Sequence, residues 1–376
     1  MNCRMCNSQN LTELVSYKNY PIFIGCSDNK IDKDELYNFV ISFCEECNII
    51  QQVNIPPLEI LYKEQRAFGI GKIWSDHYDN FFHFMKKDFS NEKSIAEVGG
   101  GNGLILKMVQ DYVPNAHLSD IEPHPYYNLS GINTIKTFFD KNFNYDGKFD
   151  VIYSSHLVEH LVDLKYFFEK SNDFLHNDGT LYMATPNIEK SFENLHLNAF
   201  TTDHLNYYTP YTIGRLSEKY GLHLADYYQY KDHGMYLKFK KSDNLSLLSL
   251  NKVDLKEKFH VYEEKIGKFI KKIEEEVGQS FYLFGASAFS ITFVRHLPSK
   301  MINNIKYVLD NEKTKTDRRL SGTSLVVKTP DIINKEIKPV VIIYMGAYAT
   351  EIIQQLRLIN SNVVIYNLMD EKHEEN

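Results

Sequence analysis

Between residues 94 and 220, short apolar runs alternate with segments in which apolar residues recur at helical spacing. The runs predict strands over 94–98, 116–120, 132–136, 149–154 and 179–184, and the periodic segments predict helices over 103–112, 163–175 and 211–220. This alternation is typical of an α/β fold with a parallel, doubly wound sheet. Such sheets bind ligands at the carboxyl ends of their strands.

The pattern changes on both sides of this region. The earlier segment 36–43 is rich in β-forming residues, and Pro56-Pro57 indicates where the first domain ends. From about residue 241 the chain continues with a long charged amphipathic helix, 254–277, and further strand-like runs with glycine turns. We therefore predict three domains, 1–57, 58–240 and 241–376, the last a smaller Rossmann-like α/β unit.

A glycine-rich turn joins the first predicted strand of the middle domain to its first helix. It carries Gly99, Gly101 and Gly103 directly after the strand residue Glu97. Glycines let a backbone turn sharply and approach a ligand without a Cβ atom in the way. Glu122 follows 25 residues after Glu97, at the end of the second strand, where a carboxylate can accept hydrogen bonds from both hydroxyls of a ribose.

These two motifs resemble motif I and the following acidic position of class I S-adenosylmethionine (SAM) dependent methyltransferases. Nicotinamide enzymes use G-x-G-x-x-G, whereas the E-x-G-x-G-x-G spacing of this chain is the form that methyltransferases favour. The resemblance implies SAM as the cofactor, and a glycine turn without a ligand is the alternative. The residues assigned to the cofactor are Glu97, Gly99, Gly101, Gly103, Glu122 and Ser155.

Four of the five cysteines form two Cys-x-x-Cys pairs, Cys3 with Cys6 and Cys44 with Cys47, with 37 residues between the pairs. Each pair presents two thiolates to one side, so the two pairs complete a tetrahedral Zn²⁺ shell. Because four thiolates leave no position open for water, we predict a structural zinc ion in a zinc ribbon. Disulfides are the alternative, but a reducing cytoplasm keeps such thiols free.

Histidines and acids cluster after two later strands. His156, Glu159 and His160 follow the fourth strand, and the pair Asp203-His204 comes after the fifth. Histidine suits proton transfer because its unperturbed pKa lies near neutrality. We predict catalytic roles for His204, Asp203 and His160 and assign none to His156 or Glu159. Histidines of the surface or core are the alternative, and so is a metal site, although no ligand spacing is recognisable.

The helical segment 74–89 is unusually rich in aromatic residues and leads into the glycine turn. Its aromatic side chains either form a lid over the cofactor or substrate, or belong to the hydrophobic core. The residues concerned are Tyr78, Phe81, Phe82 and Phe84.

Composition excludes several classes of partner. A net charge of −7 and a pI near 6.1 argue against nucleic acid as the principal partner. No run reaches the roughly 18 apolar residues that a membrane helix needs, and the N-terminus lacks the apolar core of a signal peptide. We therefore predict a cytoplasmic protein without membrane contact, a monomer or a small homo-oligomer.

Taken over its whole length, the chain is similar to the nucleotide-sugar C-methyltransferases, which methylate a carbon of TDP-keto-deoxysugars. The resemblance implies that His204 is the general base, that Asp203 precedes it, that His160 has a supporting polar role, and that the C-terminal unit helps to hold the nucleotide-sugar. Besides the motifs above, the matching residues are Glu122-Pro123, His233-Gly234, Gly285-Ala286-Ser287, Asp310, Lys315 and Gly322. The chain departs from the family at five places. It has Arg-Ala-Phe-Gly at 66–69 in place of Tyr-His-Ser-Ser-Gly, no tyrosine shortly before Asp203-His204, Asp203 in place of glutamate, Phe289 in place of a lysine, and Gly346-Ala347 in place of Trp-Asn.

Three functional hypotheses follow from the sequence. The first is a SAM-dependent C-methyltransferase that acts next to a keto group of a nucleotide-linked sugar, for a surface glycan or specialised sugar. The second is an O-methyltransferase that acts on a sugar hydroxyl or sugar phosphate. The third is a non-catalytic SAM- or nucleotide-binding module of a glycan-assembly complex.

Overall fold

The structure is a computed structural model that describes residues 2–61, 72–101, 103–122, 129–232, 234–241, 248 and 250–372. Among the positions singled out in the sequence, Pro123, His233 and the segment 66–69 lie outside the described residues.

The first 57 residues form an antiparallel sheet. Long strands β1 and β3 pair with each other, and β4 continues the sheet beside β3, while β2 lies apart from it. The predicted strand at 36–43 is therefore present. The bounds are β1 Leu11–Pro21, β2 Cys26–Ser27, β3 Leu36–Cys44 and β4 Ile50–Gln52.

The middle of the chain contains all five predicted strands and all three predicted helices, with ends shifted by a few residues. In chain order the elements are α1 Leu58–Leu61, α2 Lys72–Met85, β5 Ser94–Val98, α3 Leu104–Tyr112, β6 His117–Ile121, β7 Asn133–Ile135, β8 Phe149–Ser155, α4 Leu164–Phe174, β9 Leu175–Pro186, α5 Ile188–Glu193, β10 Asn206–Tyr207, α6 Pro210–Glu218, β11 His223–Tyr230 and β12 Gly234–Lys240.

Seven of these strands form one mixed sheet in the order β11-β12-β9-β8-β5-β6-β7. The five predicted strands run parallel, and β11 and β12 extend the β9 edge in the antiparallel direction. The central strands are buried on both faces, which explains why they appear in the sequence as continuous apolar runs. Their carboxyl ends lie along one edge of the sheet, where β5, β6, β8 and β9 lead into the loops of the candidate site.

The short strand β10 belongs to a different sheet from its neighbours in the chain. It pairs with β4, so the N-terminal sheet has the order β1-β3-β4-β10 and is completed by residues from the middle of the chain. Helix α6 begins directly after β10. A capping box fixes its start, because the Thr209 side chain accepts from the Thr212 amide while the Thr212 hydroxyl accepts from the Thr209 amide.

The last third of the chain is a five-stranded parallel sheet with the order β16-β14-β13-β17-β18, preceded by the long predicted helix. Among the described residues, the elements are α7 Leu255–Glu276, β13 Phe281–Phe284, α8 Ala288–His296, α9 Ser299–Ile302, β14 Ile305–Leu309, β15 Arg319–Leu320, β16 Val327–Lys328, β17 Val340–Ile343, α10 Ala349–Ile359 and β18 Val364–Asn367.

The N-terminal and C-terminal parts pack directly against each other. Strand β2 pairs with β15, and Arg319 forms a bidentate ion pair with Asp34, with both N–O distances 2.7 Å. One hydrophobic cluster continues from β1 and β3 through α5 and α7 into the C-terminal sheet. The side chains of α7 that were predicted to share one face are buried in it, among them Phe259, Ile266 and Ile273.

None of the helices in the described ranges combines the length and the apolar character needed to cross a membrane.

Candidate active site

The turn after β5 is shaped by its glycines. Gly99, Gly101 and Gly103 have φ angles of +69°, +53° and +66°, which lie in the left-handed region that glycine adopts at low cost. A Cβ atom built on Gly101 would meet no heavy atom within 4 Å. The backbone therefore faces open space here, next to the start of α3, and a ligand can approach it closely.

Buried carboxylates lie directly beneath this turn. Glu97 is 2% exposed and is aligned with Asp120 of β6 on one side and with Tyr153 of β8 on the other. Among the described residues, neither Oε2 of Glu97 nor Oδ1 of Asp120 has a hydrogen-bond partner. Burial raises the pKa of Glu97 well above its usual range and raises the pKa of Asp120 to about 6. Asp120 was not predicted from the sequence as part of this site.

Two other residues assigned to the cofactor also follow the strands. Glu122 comes directly after β6 with a φ of +60°, and burial raises the pKa of its carboxyl group. Ser155 ends β8, and its hydroxyl lies 2.9 Å from Nε2 of His77. The hydroxyl of Ser155 is thus already engaged by a helix α2 side chain that the sequence did not connect with it.

A cavity of 490 Å³ opens beside these strand ends. One wall consists of the loops after β8 and β9 and of helix α2, and the opposite wall comes from the C-terminal unit. Ile24 of the N-terminal segment completes the boundary. Four histidines line the cavity, namely His77, His156, His196 and His204, and the C-terminal wall includes Phe289, Met345 and Tyr348.

Buried Glu159 lies at the centre of the histidine cluster. Its Oε1 is 2.9 Å from Nδ1 of His156, and its Oε2 accepts a 3.1 Å hydrogen bond from the hydroxyl of Thr185. Burial alone would raise the pKa of Glu159, but the hydrogen bond from His156 and the charges of the surrounding histidines outweigh it and lower the pKa to about 2. Glu159 is therefore ionised at neutral pH.

His160 and His204 lie next to each other and close to Glu159. Their ring centroids are 4.9 Å apart, and one nitrogen of each ring lies within 4.8 Å of a Glu159 oxygen. His160 Nδ1 is 2.8 Å from the backbone oxygen of Asp203 and 3.9 Å from its carboxylate. Asp203 therefore contacts His160 in addition to preceding His204 in the chain. Burial, opposed by the charge of Asp203, lowers the pKa of His204 to about 4.

The His204 loop is held in place from two sides. The amide of Leu205 donates to the backbone oxygen of Glu159 at 2.7 Å, and the Leu205 oxygen accepts from the amide of Gln52 in β4 at 2.9 Å. The hydroxyl of Thr202 donates to the oxygen of Ile22 at 3.0 Å. The histidine is therefore positioned by the N-terminal sheet as well as by its own domain.

Two models of known protein families match the chain. The model of a methyltransferase domain matches residues 70–226, and the model of a C-methyltransferase C-terminal domain matches residues 249–365. The chain is a SAM-dependent methyltransferase. This confirms the prediction of an enzyme and disfavours the hypothesis of a non-catalytic module.

Several solved methyltransferases are similar to parts of the chain. A putative SAM-dependent methyltransferase from Listeria monocytogenes is 9% identical with a TM-score of 0.37, and the match covers 44% of this chain and 99% of that one. The 1,6-didemethyltoxoflavin-N1-methyltransferase of Burkholderia thailandensis, solved with S-adenosylhomocysteine, is 11% identical with a TM-score of 0.38, covering 53% and 98%. The N-methyltransferase NodS of Bradyrhizobium japonicum is 14% identical with a TM-score of 0.35, covering 45% and 97%. None of the curated proteins matches the chain.

The residues around the glycine turn of the methyltransferase fit SAM. The turn offers open backbone at Gly101, and the unpartnered Oε2 of Glu97 is the kind of buried acceptor that a ligand ammonium group satisfies. The position of Glu122 at the end of β6 suits a ribose diol.

The methyltransferase uses the aromatic residues of helix α2 mainly as core. Phe81 and Phe82 are 0% and 8% exposed, and Tyr78 and Phe84 pack against the same cluster of α3 and the sheet. Phe81 and Phe82 therefore belong to the hydrophobic core, one of the two possibilities that the sequence left open, because their face of α2 packs toward the sheet. Trp74 and His77, one turn earlier, line the cavity instead.

The four paired cysteines converge at the edge of the N-terminal sheet. Sulfur–sulfur distances are 3.6 Å for Cys3 and Cys47 and 3.5 Å for Cys6 and Cys44, and all five cysteines are free. A tetrahedron with Zn–S bonds of about 2.3 Å has sulfur–sulfur edges of about 3.8 Å. The donor set and its spacing therefore fit a zinc ion. The fifth cysteine, Cys26, is buried elsewhere and is 8% exposed.

Proposed function

We propose that the methyltransferase transfers a methyl group to a carbon next to the keto group of a nucleotide-linked sugar, for a surface glycan or specialised sugar. The observation that supports this most is the placement of the acceptor cavity. It lies between the histidine cluster and the C-terminal unit, and that unit matches the C-methyltransferase C-terminal domain.

The chemistry requires a neutral base at the acceptor carbon. A carbon becomes nucleophilic once a proton α to the carbonyl group has been removed. His204 is neutral at physiological pH because its pKa lies at about 4, and it lines the cavity. The positive charge that it gains is stabilised by Asp203 and Glu159, whose charges act on its ring. We therefore assign the general base to His204.

His160 and Asp203 support this base. The hydrogen bond from His160 Nδ1–H to the Asp203 oxygen fixes the loop that carries His204, and the two rings pack edge to face at 4.9 Å. Their role is to hold the orientation of His204 toward the acceptor.

The cofactor is placed at the glycine turn, with Glu122 on the ribose and Glu97 below the backbone of the turn. SAM, when bound, supplies a methyl group on a sulfonium centre that departs as a neutral thioether. The residues of this chain align that methyl with the acceptor carbon, and such positioning carries much of the barrier.

The C-terminal unit is assigned to the nucleotide part of the acceptor. Its wall of the cavity presents the aromatic rings of Phe289 and Tyr348, which suit stacking against a base or sugar ring. None of the described residues that line the cavity is a lysine or arginine. The sugar therefore occupies the cavity itself, and the phosphates extend past it.

We also propose that the four-cysteine cluster holds a structural Zn²⁺. Its thiolates require a reducing compartment, which supports a cytoplasmic enzyme. We further propose that the enzyme works as a monomer or small homo-oligomer on a small-molecule acceptor, without nucleic acid or membrane.

The test is product analysis with a TDP-linked keto-deoxyhexose and its hydroxy counterpart, each incubated with enzyme and SAM. We expect a gain of one methyl group on the keto compound, and NMR should place it on the carbon next to the keto group. Methylation of the hydroxy compound alone, on oxygen, would contradict the proposal and favour O-methyltransfer. A His204→Ala variant with normal SAM affinity is the control for product formed without the enzyme's base.

A further inference from the structure

His156 and Glu159 form a closely coupled pair that the function assigned so far does not use. The His156 ring donates through Nδ1 to Oε1 of Glu159 at 2.9 Å, and the Glu159 side chain is only 2% exposed. The hydroxyl of Thr185 occupies the other carboxylate oxygen at 3.1 Å. Two donors thus hold the Glu159 carboxylate in place, and its Oε1 lies next to the His156 ring.

The backbone at His156 is held in an unusual conformation. Its φ angle is +51°, in the left-handed region that a histidine adopts only when its surroundings enforce it. The amide of His156 donates to the oxygen of Ala184 at 2.9 Å, which anchors the turn to β9. Residues in such conformations are concentrated at functional sites.

The His156 ring also packs between neighbouring aromatic rings, which fix its orientation. It packs edge to face against Trp74, with centroids 5.1 Å apart, and against His77 at 4.9 Å. The side chain is 21% exposed, and it lines the cavity. Since Nδ1 faces Glu159, Nε2 is the ring nitrogen left for the cavity.

A buried carboxylate requires a compensating positive charge or a set of strong donors. Of the three histidines around Glu159, His156 is the one with a direct hydrogen bond to the carboxylate. The negative charge of this carboxylate can offset a positive charge on the ring, so a ring with hydrogen on both nitrogens is accommodated here. A nitrogen of the half-buried His204 lies within 4.8 Å of an oxygen of the same carboxylate, and a pKa of about 4 keeps His204 neutral. One cavity therefore presents two histidines around one carboxylate.

We propose that His156 is the electrophilic catalyst of this enzyme, and that its Nε2–H donates a hydrogen bond to the carbonyl oxygen of the acceptor. This rests on the proposed function. His204 takes the α-proton, the C–H electron pair becomes the new C=C bond, and the carbonyl π electrons move to the oxygen that His156 stabilises. As the carbon–methyl bond forms, the C=O bond is restored and the methyl–sulfur electrons stay on sulfur. Glu159 acts through His156 as a positioning residue.

The experiment measures the α-proton step without methyl transfer. The enzyme is saturated with S-adenosylhomocysteine and incubated in D₂O with a TDP-linked keto-deoxyhexose, and NMR follows exchange at the α-carbon. The variants are His156→Ala, His156→Gln, Glu159→Gln and His204→Gln. His83→Gln is the matched control, because His83 forms a similar histidine–carboxylate pair with Asp79 at 3.6 Å on the surface of α2, with its side chain 53% exposed.

We expect His156→Ala to slow exchange about 100-fold, the usual loss when one oxyanion donor is removed. His156→Gln should recover part of the rate because its amide retains an N–H donor, and Glu159→Gln should fall between them. The affinity for SAM and the KM for the acceptor should stay close to those of the parent, as in His83→Gln. These two readouts distinguish loss of the donor from a general loss of structure.

Two outcomes overturn the proposal in different ways. Exchange at the parent rate in His156→Gln and Glu159→Gln, with exchange abolished in His204→Gln, would remove His156 from catalysis and leave the proposed function intact. No exchange by the parent enzyme, with S-adenosylhomocysteine still bound, would overturn the proposed function and this inference together. Because the glutamine variants retain the shape of the buried pair, failure of His156→Ala to fold does not block the test.

Discussion

At the scale of single residues, the site depends on how the protein environment separates similar side chains. His156 and His204 differ little in sequence context, since each is a histidine within three residues of an acid. Folding places both near Glu159, bonds His156 to the carboxylate and leaves His204 half-buried with its pKa lowered to about 4. The two histidines therefore have different surroundings in the folded protein, although their sequence contexts are similar.

His204 should make the protein sensitive to acid. Its pKa is about 4 in the folded protein against an ordinary value of 6.5, so the unfolded chain binds more protons between these values. Stability should therefore fall as pH is lowered from 6.5 toward 4. His204→Gln removes the contribution of this histidine to the pH dependence of stability. The urea midpoints of the variant at pH 7 and pH 4.5 should therefore differ less than those of the parent. An unchanged difference, equal to that of His83→Gln, would contradict the lowered pKa of His204.

Glu122 should contribute to cofactor affinity. Removing its carboxylate in Glu122→Ala deletes the acceptor for the ribose hydroxyls, and we expect SAM to bind at least about tenfold more weakly. Equilibrium dialysis with labelled SAM measures this directly. Asp111→Ala is the control, since Asp111 is exposed on α3 and pairs only locally with Lys107. Equal affinity in the two variants would remove Glu122 from the cofactor site.

The sequence could name part of this candidate site in advance, and physical reasons explain why it could not name the rest. The glycine turn, Glu122 and His204 have motif context, so they could be named in advance. Asp120 was missed because its proximity to Glu97 depends on strand register. His156 and Glu159 were named but given no role, because their spacing in the sequence does not show that the two side chains meet. Asp203 was expected beside His204, and its backbone oxygen also lies 2.8 Å from Nδ1 of His160.

At the scale of elements, the N-terminal sheet holds the loop that carries His204 in place. Arg4 lies between the first two paired cysteines, and its guanidinium donates to the Gln52 oxygen at 2.6 Å and to Asn206 Oδ1 at 3.0 Å. It also donates to the oxygen of Leu205, the residue after His204. The long predicted strands were found because their patterns are periodic, whereas β2, β10 and β15 have two residues each and no detectable pattern.

Metal removal should therefore affect both stability and the His204 loop. If Zn²⁺ links the four thiolates, chelation withdraws binding free energy from the folded state. We expect a lower melting temperature and a loss of turnover that is restored by added zinc, with SAM affinity changed much less. Metal analysis by mass spectrometry should show one zinc per chain. A protein without zinc and with an unchanged melting temperature in chelator would contradict the assignment.

At the scale of the whole molecule, the C-terminal unit supplies one wall of the cavity to which we assign the acceptor. The bidentate pair of Arg319 and Asp34 fastens that unit to the N-terminal segment, and both side chains are nearly buried. Neighbouring Arg318 pairs with Asp28, whose side chain is 70% exposed. The division into three domains remains a prediction, because β10 and the β2–β15 pair cross the predicted boundaries.

Breaking the ion pair of Arg319 and Asp34 should lower the affinity for the acceptor without changing the affinity for SAM. Arg319→Met leaves Asp34 buried without its partner, which typically costs about 3 kcal/mol or more. We expect a lower denaturation midpoint and a higher KM for the acceptor, with SAM affinity maintained. Arg318→Met is the matched control and should change stability by less than about 1 kcal/mol, since it removes an exposed ion pair. An unchanged acceptor KM in a destabilised Arg319→Met would show that docking of the C-terminal unit does not shape the cavity.

The central claim is that the acceptor atom is a carbon activated by loss of its α-proton. The measurement that tests it most directly uses a TDP-linked keto-deoxyhexose carrying deuterium at the α-carbon, with SAM and enzyme, and mass spectrometry of the product. The account predicts a product that has gained one methyl group and lost the deuterium. A methylated product that retains the deuterium would contradict it, because the methyl group would then be on oxygen.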